Sequence, residues 1–398
     1  KGEIKMIIGN RDTKGFLIDP SISNKGKAGV KKEPQEDQKE TQKINYSHID
    51  QDLIRIDGKI KLLYHLRPIN LESEREKFKN NPTENPQFEY PQLKFDPVEL
   101  ITELKDIKTD SSPIGKAFEA KKEEIQNKIK LLENIDEESF TATSIKLFGK
   151  PSQEEVDECQ HALKEIPKTK EGENSLYTAD EAKKHFEEAF EKYGLKSWKI
   201  KIKDSMVADC VAGKNNRLFI RKNAKFSLER IKSLIIHEIE THILTAQNGK
   251  LQPYEIFNTG LANYLETQEG LAMYNVSKQR HTPFIKNDKA LTHVIAISKA
   301  LEGSFLEVYN EALKFGASPD TAFRSALKAK RGIMDTSKRG AFTKDYIYYK
   351  GYKKIEQFME NGGDLKDLYI GKFNIDDIDT IKKIPGIIKA RHLPGWLN

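Results

Sequence analysis

The sequence lacks the features that would place it in a membrane or in an oxidising compartment. No run of 18 apolar residues occurs among its 398 residues, so we expect no helix that spans a bilayer. Its first residues, Lys1 to Lys5, lack the apolar stretch and the cleavage site of a secretory signal. The two cysteines, Cys159 and Cys210, do not have the CxxC spacing of a redox or metal motif. We therefore expect a cytoplasmic protein with two ordinary thiols.

A strong excess of one charge is also missing. The 67 basic and 61 acidic residues give a net charge of +6 and are spread along the whole chain. Nucleic-acid-binding proteins usually cluster basic residues on one stripe or patch, and no such cluster occurs here, so we expect no nucleic-acid partner. Hydrophobic residues make up 37% of the chain and charged residues 32%. The chain is polar, yet long enough to enclose a large core.

The N-terminal part of the chain changes character near residue 47. Residues 20–45 are rich in Lys, Glu, Gln and Ser and have little to bury, which predicts a flexible polar tail over residues 1–46. Apolar residues then recur at helical spacing, and this part contains no cluster of reactive side chains. We interpret residues 47–175 as a helical subdomain. Its predicted helices lie at 49–68, 71–80, 97–107, 114–135 and 153–165.

A second domain is predicted over residues 176–398. Apolar residues alternate with lysines from Trp198 to Ile202, and a turn signal lies inside 209–221, which together predict a small antiparallel sheet. Ser227 then caps a strongly amphipathic helix that ends at Gly249, and the remaining chain is predicted to be helical. A few strands followed by many helices are typical of a mostly helical α+β fold.

The amphipathic helix contains the sequence His237-Glu238-Ile-Glu-Thr-His242. Imidazole is a preferred zinc ligand, and a glutamate beside the first histidine can act as a general base. The common spacing, His-Glu-x-x-His, places both imidazoles on one helix face, but one more residue intervenes here. Five residues turn the second ring by about 140° on an ideal α-helix. If both rings bind one metal, a π-type turn between them is required; otherwise they are two surface histidines.

A third ligand is expected because catalytic zinc usually has three protein ligands and an open position. Glu269, in Thr267-Gln-Glu-Gly-Leu-Ala272, lies 27 residues after His242 on another predicted helix. A glycine inside a helix costs about 1 kcal/mol. Gly270 therefore indicates a close approach of two helix backbones beside Glu269, although an ordinary surface glutamate explains the residue nearly as well.

Three stretches together resemble a known family of metallopeptidases. They are HEIETH (237–242), TQEGLAMY (267–274) and FTKDYIYYKGY (342–352), with a further likeness at Asn85–Tyr90. They are similar to the family typified by the microtubule-associated tyrosine carboxypeptidase, whose bacterial members carry the QEGLA motif. The resemblance covers the chain from about residue 47 to its end and indicates a bacterial-type member of the family.

The resemblance implies a zincin-like fold and hydrolysis of peptide bonds. It implies Zn²⁺ held by His237, His242 and Glu269, with Glu238 as the catalytic glutamate. The expected substrate is the C-terminus of a peptide or protein, from which a residue is removed. The alternative is a zinc-containing binding or regulatory protein without activity, although an intact Glu238 argues against it.

Weaker candidates concern the binding of substrate. A carboxypeptidase needs a cation for the terminal carboxylate, and Arg331 and Lys344 lie in stretches that resemble the family. Tyr346 and Tyr349 are candidates for a hydrogen bond to the developing oxyanion, although such tyrosines more often pack in cores. Zincins commonly bind substrate along the strand that precedes the ligand helix, which indicates the strand around Phe219 unless it is a plain edge strand.

Overall fold

The sequence folds mainly into helices, with one small sheet near its middle. The computed structural model describes residues 44–166, 176–204, 206, 208–213, 215–284 and 287–398. The predicted tail over residues 1–46 lies almost entirely outside the described residues. Residues 44–398 form one compact unit. The predicted domain boundary after residue 175 also falls at a segment, 167–175, outside the described residues.

Eight helices precede the sheet in the described residues. Several begin at residues whose side chains accept hydrogen bonds from the first free backbone N–H groups, as Ser112 does before Pro113 and as Ser152 and Thr178 do in capping boxes. They are α1 (Tyr46–Ile60), α2 (Leu62–His65), α3 (Leu71–Asn80), α4 (Pro97–Asp106), α5 (Pro113–Glu133), α6 (Glu138–Phe148), α7 (Gln153–Glu165) and α8 (Ala179–Lys192).

The sheet contains β1 (Lys199–Lys203), β2 (Cys210–Gly213) and β3 (Arg217–Arg221) in the order β1-β3-β2. β2 and β3 form the predicted antiparallel hairpin, but β1 pairs with β3 in parallel. The prediction of an antiparallel sheet was therefore wrong, and the sheet is mixed. The reason is that β2 lies at one edge of the sheet. The hairpin turn then places β3 in the centre, where it pairs with β2 on one side and with β1 on the other.

The described residues after the sheet are mainly helical, as predicted. One continuous helical segment consists of α9 (Leu228–Leu234), a π-helix (Ile235–Ile243) and α10 (Leu244–Gly249). The helices that follow are α11 (Ile256–Thr259), α12 (Tyr264–Gln279), α13 (Asp288–Glu302), α14 (Phe305–Lys314), α15 (Pro319–Ala329), α16 (Ile347–Glu360) and α17 (Ile378–Ile381). Short 3-10 turns lie at Lys344–Tyr346, Leu365–Tyr369 and Ile375–Asp377.

Two apolar cores hold these helices together. The larger core joins Phe88 and Val156 with Ile239 of the π-helix and Leu271 of α12. The smaller core is built mostly from the N-terminal helices and also contains Phe257 of α11. Both cores therefore combine residues from the two predicted parts of the chain. Within the described part of the chain, no helix is both long enough and apolar enough to cross a bilayer.

Candidate metal centre

The helix that carries the two histidines is widened where they lie. Nine residues, Ile235–Ile243, form a π-helix between two α-helical segments. The N–H of Leu244 donates to the carbonyl of Ile239, five residues earlier. The predicted π-type turn between His237 and His242 is thus confirmed. The extra residue in each turn compensates for the longer spacing of the motif and returns both rings to one side.

His237, His242 and Glu269 lie together, the last brought from α12. Oε2 of Glu269 lies 3.4 Å from Nε2 of His237 and 3.8 Å from Nε2 of His242. The ring centroids are 4.8 Å apart and nearly perpendicular, at 86°. One nitrogen from each histidine and one carboxylate oxygen all lie within 4.8 Å of one another. The three side chains could therefore hold one metal ion.

The donor set suits zinc in both geometry and chemistry. Bonds of about 2.0–2.2 Å in a tetrahedral site place neighbouring ligand atoms about 3.4 Å apart, close to the separations between Glu269 and the histidines. Oε2 of Glu269 is buried and accepts no hydrogen bond among the described residues. A buried carboxylate oxygen without a partner is costly, and a cation between the two rings would satisfy it.

Burial and mutual charge set the protonation of these groups. Burial lowers the pKa of His242 to about 4, so that this ring is neutral as a ligand must be. Burial opposes ionisation of Glu269, but the close contact with the His237 ring and the positive charges nearby lower its pKa to about 2. Burial also lowers the pKa of His237, but the contact with Glu269 outweighs burial, so that the pKa of His237 is raised. A metal ion would compete for that proton.

The residue before Glu269 orients one of the rings. Oε1 of Gln268 lies 3.3 Å from Nδ1 of His242. An acceptor at Nδ1 favours the tautomer that carries its hydrogen there and leaves Nε2 free for a metal. Thr267 accepts a hydrogen bond of 2.7 Å from the N–H of Ile375. The QEGLA motif therefore supplies Gln268 as an orienting group, Glu269 as a candidate ligand and Gly270, where the backbone of another helix approaches closely.

Glu238 is buried beside the sheet. Its Oε2 accepts a hydrogen bond of 2.7 Å from the N–H of Ala212 in β2. Burial raises the pKa of Glu238 to about 7, against the opposing charge of His237 and the bond from Ala212. A carboxylate with a pKa near the working pH both accepts and releases protons readily, as a general base must.

Glu240 has a different role from its neighbours in the motif. Its side chain is buried on another side of the helix. Its two oxygens accept hydrogen bonds of 2.5 Å from the hydroxyl of Tyr193 and 2.9 Å from the indole of Trp396. Glu240 therefore fastens the helix to α8 and to the C-terminal segment.

Tyr348, which the sequence analysis missed, lies at the site. The charge of Glu269, together with burial, raises the pKa of the Tyr348 hydroxyl well above the usual value. Tyr348 precedes Gly351 by three residues and so lies on the same face of α16, the face that packs against α12. The position of Tyr348 three residues before Gly351 is the sequence signal that could have identified it as a site residue.

The two predicted tyrosines point elsewhere. The hydroxyl of Tyr346 donates to the carboxylate of Glu155 at 2.9 Å, and that of Tyr349 donates to Glu158 at 2.7 Å. Both partners belong to α7, so these tyrosines pack the helices together. The structure does not bring them to the histidines.

Of the two predicted cations, Lys344 has an electrostatic effect on a candidate metal ligand. Its charge helps to lower the pKa of Glu269, and its Nζ lies 5.8 Å from the centroid of the Tyr348 ring. The charges of both Lys344 and Arg331 help to lower the pKa of Asp345, which also pairs with Lys328 at 2.9 Å. Lys344 is therefore the better placed of the two predicted cations.

The strand around Phe219 is not an edge strand. β3 is paired on both sides, so that it cannot accept a further strand, and its placement as a substrate-binding edge was wrong. The Phe219 ring lies 4.0 Å from Nζ of Lys203 of β1. Among the described strands, the outer edge beside Glu238 belongs to β2, and the N–H of Ala212 on this edge donates to Glu238.

Comparison with known proteins places the chain in a family. The family described as microtubule-associated tyrosine carboxypeptidase matches residues 75–398. A mouse protein named "Putative tyrosine carboxypeptidase MATCAP2" is 29% identical over 172 residues, which are 42% of this chain and 33% of that protein. The human microtubule-associated tyrosine carboxypeptidase 1 is 26% identical over 172 residues, or 42% and 36% of the two chains. The chain spans about a third of the length of these relatives. Because the family match covers most of its residues, the chain belongs to the microtubule-associated tyrosine carboxypeptidase family.

Proposed function

We propose that this protein is a zinc-dependent carboxypeptidase with a zincin-like catalytic domain. The observation that carries the proposal is the convergence of His237, His242 and Glu269 on one side of a π-type turn, with Glu238 beside them. A site that served structure alone would usually close with four protein ligands. The names of the relatives as tyrosine carboxypeptidases support the same class of reaction.

In the proposed mechanism, His237, His242 and Glu269 would hold the zinc ion. The chemistry supplied by a bound zinc ion would be Lewis acidity towards a water molecule and the scissile carbonyl. Glu238 removes a proton from the water and delivers it to the leaving amine. Its Oε2 is already bound to the N–H of Ala212, which leaves Oε1 to accept this proton. Tyr348 stays protonated and can donate a hydrogen bond to the oxyanion that develops on the carbonyl.

The outer edge of β2 is the proposed binding surface for the substrate backbone. Ala212 directs its N–H away from β3 and towards Glu238, so this edge adjoins the proposed general base. An extended peptide that adds to this edge would pass in front of Glu238 and the metal ligands. This replaces the role that the sequence analysis had assigned to the strand of Phe219.

Lys344 is the proposed partner of the terminal carboxylate. In a carboxypeptidase this carboxylate lies one residue beyond the scissile bond, so its cation must lie near the metal. Lys344 meets this condition because its charge helps to lower the pKa of Glu269, one of the proposed metal ligands. A lysine provides a point charge rather than a two-pronged contact, which tolerates some variation in the position of the carboxylate.

The test is a peptide library read by mass spectrometry, with wild type compared with Glu238→Gln. Each peptide is offered with a free and with an amidated C-terminus. We expect wild type to trim only the free termini, and Glu238→Gln to lose about 10²- to 10⁴-fold in rate while it still holds zinc. Internal cuts in both sets would indicate an endopeptidase. Equal products from wild type and variant, both loaded with zinc, would favour the inactive binding protein instead.

A further inference from the structure

Three uncharged polar side chains meet in the core behind the π-type turn. They are Thr241 of the π-helix, Asn275 of α12 and Tyr369 of the 3-10 turn Leu365–Tyr369, and none of them is exposed. Nδ2 of Asn275 donates hydrogen bonds of 2.8 Å to Oγ1 of Thr241 and to the hydroxyl of Tyr369. The hydroxyl of Thr241 donates to the carbonyl of Ile236 at 2.9 Å.

This cluster is poorly explained as a source of stability alone. Burying polar groups is costly, and a hydrogen bond between them returns little net free energy. Oδ1 of Asn275 is buried and has no hydrogen-bond partner in the described part of the chain. A buried network is more readily explained when it selects one arrangement of the backbone over another.

The arrangement that it selects is the π-type turn. In an α-helix a threonine hydroxyl bonds to the carbonyl four residues earlier, but Thr241 bonds to the carbonyl five residues earlier. Thr241 therefore connects the start of the widened turn, at Ile236, with α12. Straightening the turn into an α-helix would rotate the residues after the turn relative to those before it, by about 100° for each residue of altered register. This rotation would break the connection between Ile236 and α12. It would also turn His237 away from His242.

We propose that Thr241, Asn275 and Tyr369 are positioning residues that hold the π-type turn, so that His237 and His242 face one metal ion. The inference rests on the proposed metal site for its consequence, but the geometry of the turn tests it independently. None of the three touches the metal ligands through the bonds described above. Their effect passes through the backbone from Ile236 to His242.

The test compares Thr241→Val, which has the same shape without the hydroxyl, with Thr241→Ser, which keeps it. Thr245→Val is a matched control, because Thr245 is also fully buried one turn later and its hydroxyl has no hydrogen-bond partner among the described residues. Metal affinity is measured by titration with Co²⁺ and its visible absorption, and folding by the thermal midpoint of the metal-free proteins. We expect Thr241→Val to lose about 10- to 100-fold in affinity. Thr241→Ser and Thr245→Val should bind as wild type does.

Crystal structures of the metal-free variants separate this inference from the proposed function. A turn that straightens in Thr241→Val, with the two rings apart, supports the positioning role even if wild type binds no metal. An unchanged π-type turn together with unchanged Co²⁺ affinity would overturn it while leaving the proposed metal site intact. If Thr241→Val does not fold, Tyr369→Phe replaces it. That variant removes one acceptor of Asn275 and should show a smaller loss of affinity, and wild-type affinity there would overturn the inference.

Discussion

Gly270 and Gly351 touch where α12 crosses α16. A Cβ on Gly270 would lie 2.2 Å from the carbonyl carbon of Gly351, and a Cβ on Gly351 would lie 2.1 Å from the carbonyl oxygen of Glu266. The two backbones therefore meet without any side chain between them. This contact sets the distance between Glu269 on one helix and Tyr348 on the other. It also confirms the close approach that Gly270 indicated.

A methyl group at this crossing should disturb both the fold and the site. Gly270→Ala must push α16 away, because the obstacle is backbone, and such overpacking costs about 1–3 kcal/mol in the free energy of unfolding. Gly58→Ala in α1 is the matched control, since its new Cβ would meet nothing within 4 Å. That change should stabilise by about 0.5–1 kcal/mol. Chemical denaturation measures both; equal effects would contradict the contact.

The candidate ligands should differ in their effect on metal content. We expect about one zinc ion per chain, and its loss in His237→Ala and in His242→Ala. Glu269→Ala should weaken binding less, because two imidazoles remain. Elemental analysis of purified proteins gives the ratios. Zinc retained in full by both histidine variants would show that the ion binds elsewhere.

Glu238 should make the stability of the metal-free protein depend on pH. Its pKa is raised from 4.5 to about 7 in the fold. Its protonated form therefore favours folding, and that contribution is complete below pH 4.5 and lost as the pH rises through 7. Glu238→Gln stays neutral at every pH and so does not lose this stability. The loss in wild type is on the order of 3 kcal/mol in the free energy of unfolding. Denaturation at pH 5 and pH 8 should show the variant gaining relative to wild type; a constant difference would contradict this.

Tyr348 and its neighbour form a direct comparison. Tyr348→Phe removes the proposed donor to the oxyanion and should lower kcat by about 10²- to 10³-fold with zinc retained. Tyr349→Phe removes only the hydrogen bond to Glu158 and should lower stability by about 1 kcal/mol while leaving kcat nearly unchanged. Steady-state kinetics on a peptide trimmed by wild type measures both variants. Equal losses of kcat would exclude a special role for Tyr348.

Local patterns in the sequence were enough to predict most helices and the form of the ligand helix. The predicted helices at 71–80 and 153–165 match α3 and α7 at both ends. The widened turn followed from the spacing of the two histidines together with the hypothesis that both bind one metal. The rotation per residue of a helix is constant, so two ligands five residues apart can share a metal only if the turn is enlarged.

The tertiary structure decided which elements border the site. Strand order placed β2 rather than β3 at the outer edge, because pairing depends on contacts between residues far apart in the chain. The packing of α16 selected Tyr348 and directed Tyr346 and Tyr349 towards α7. Several faces of a helix that is rich in tyrosine look alike in sequence. Only the position of the neighbouring helix, set here by two glycines in contact, determines which face meets the metal ligands.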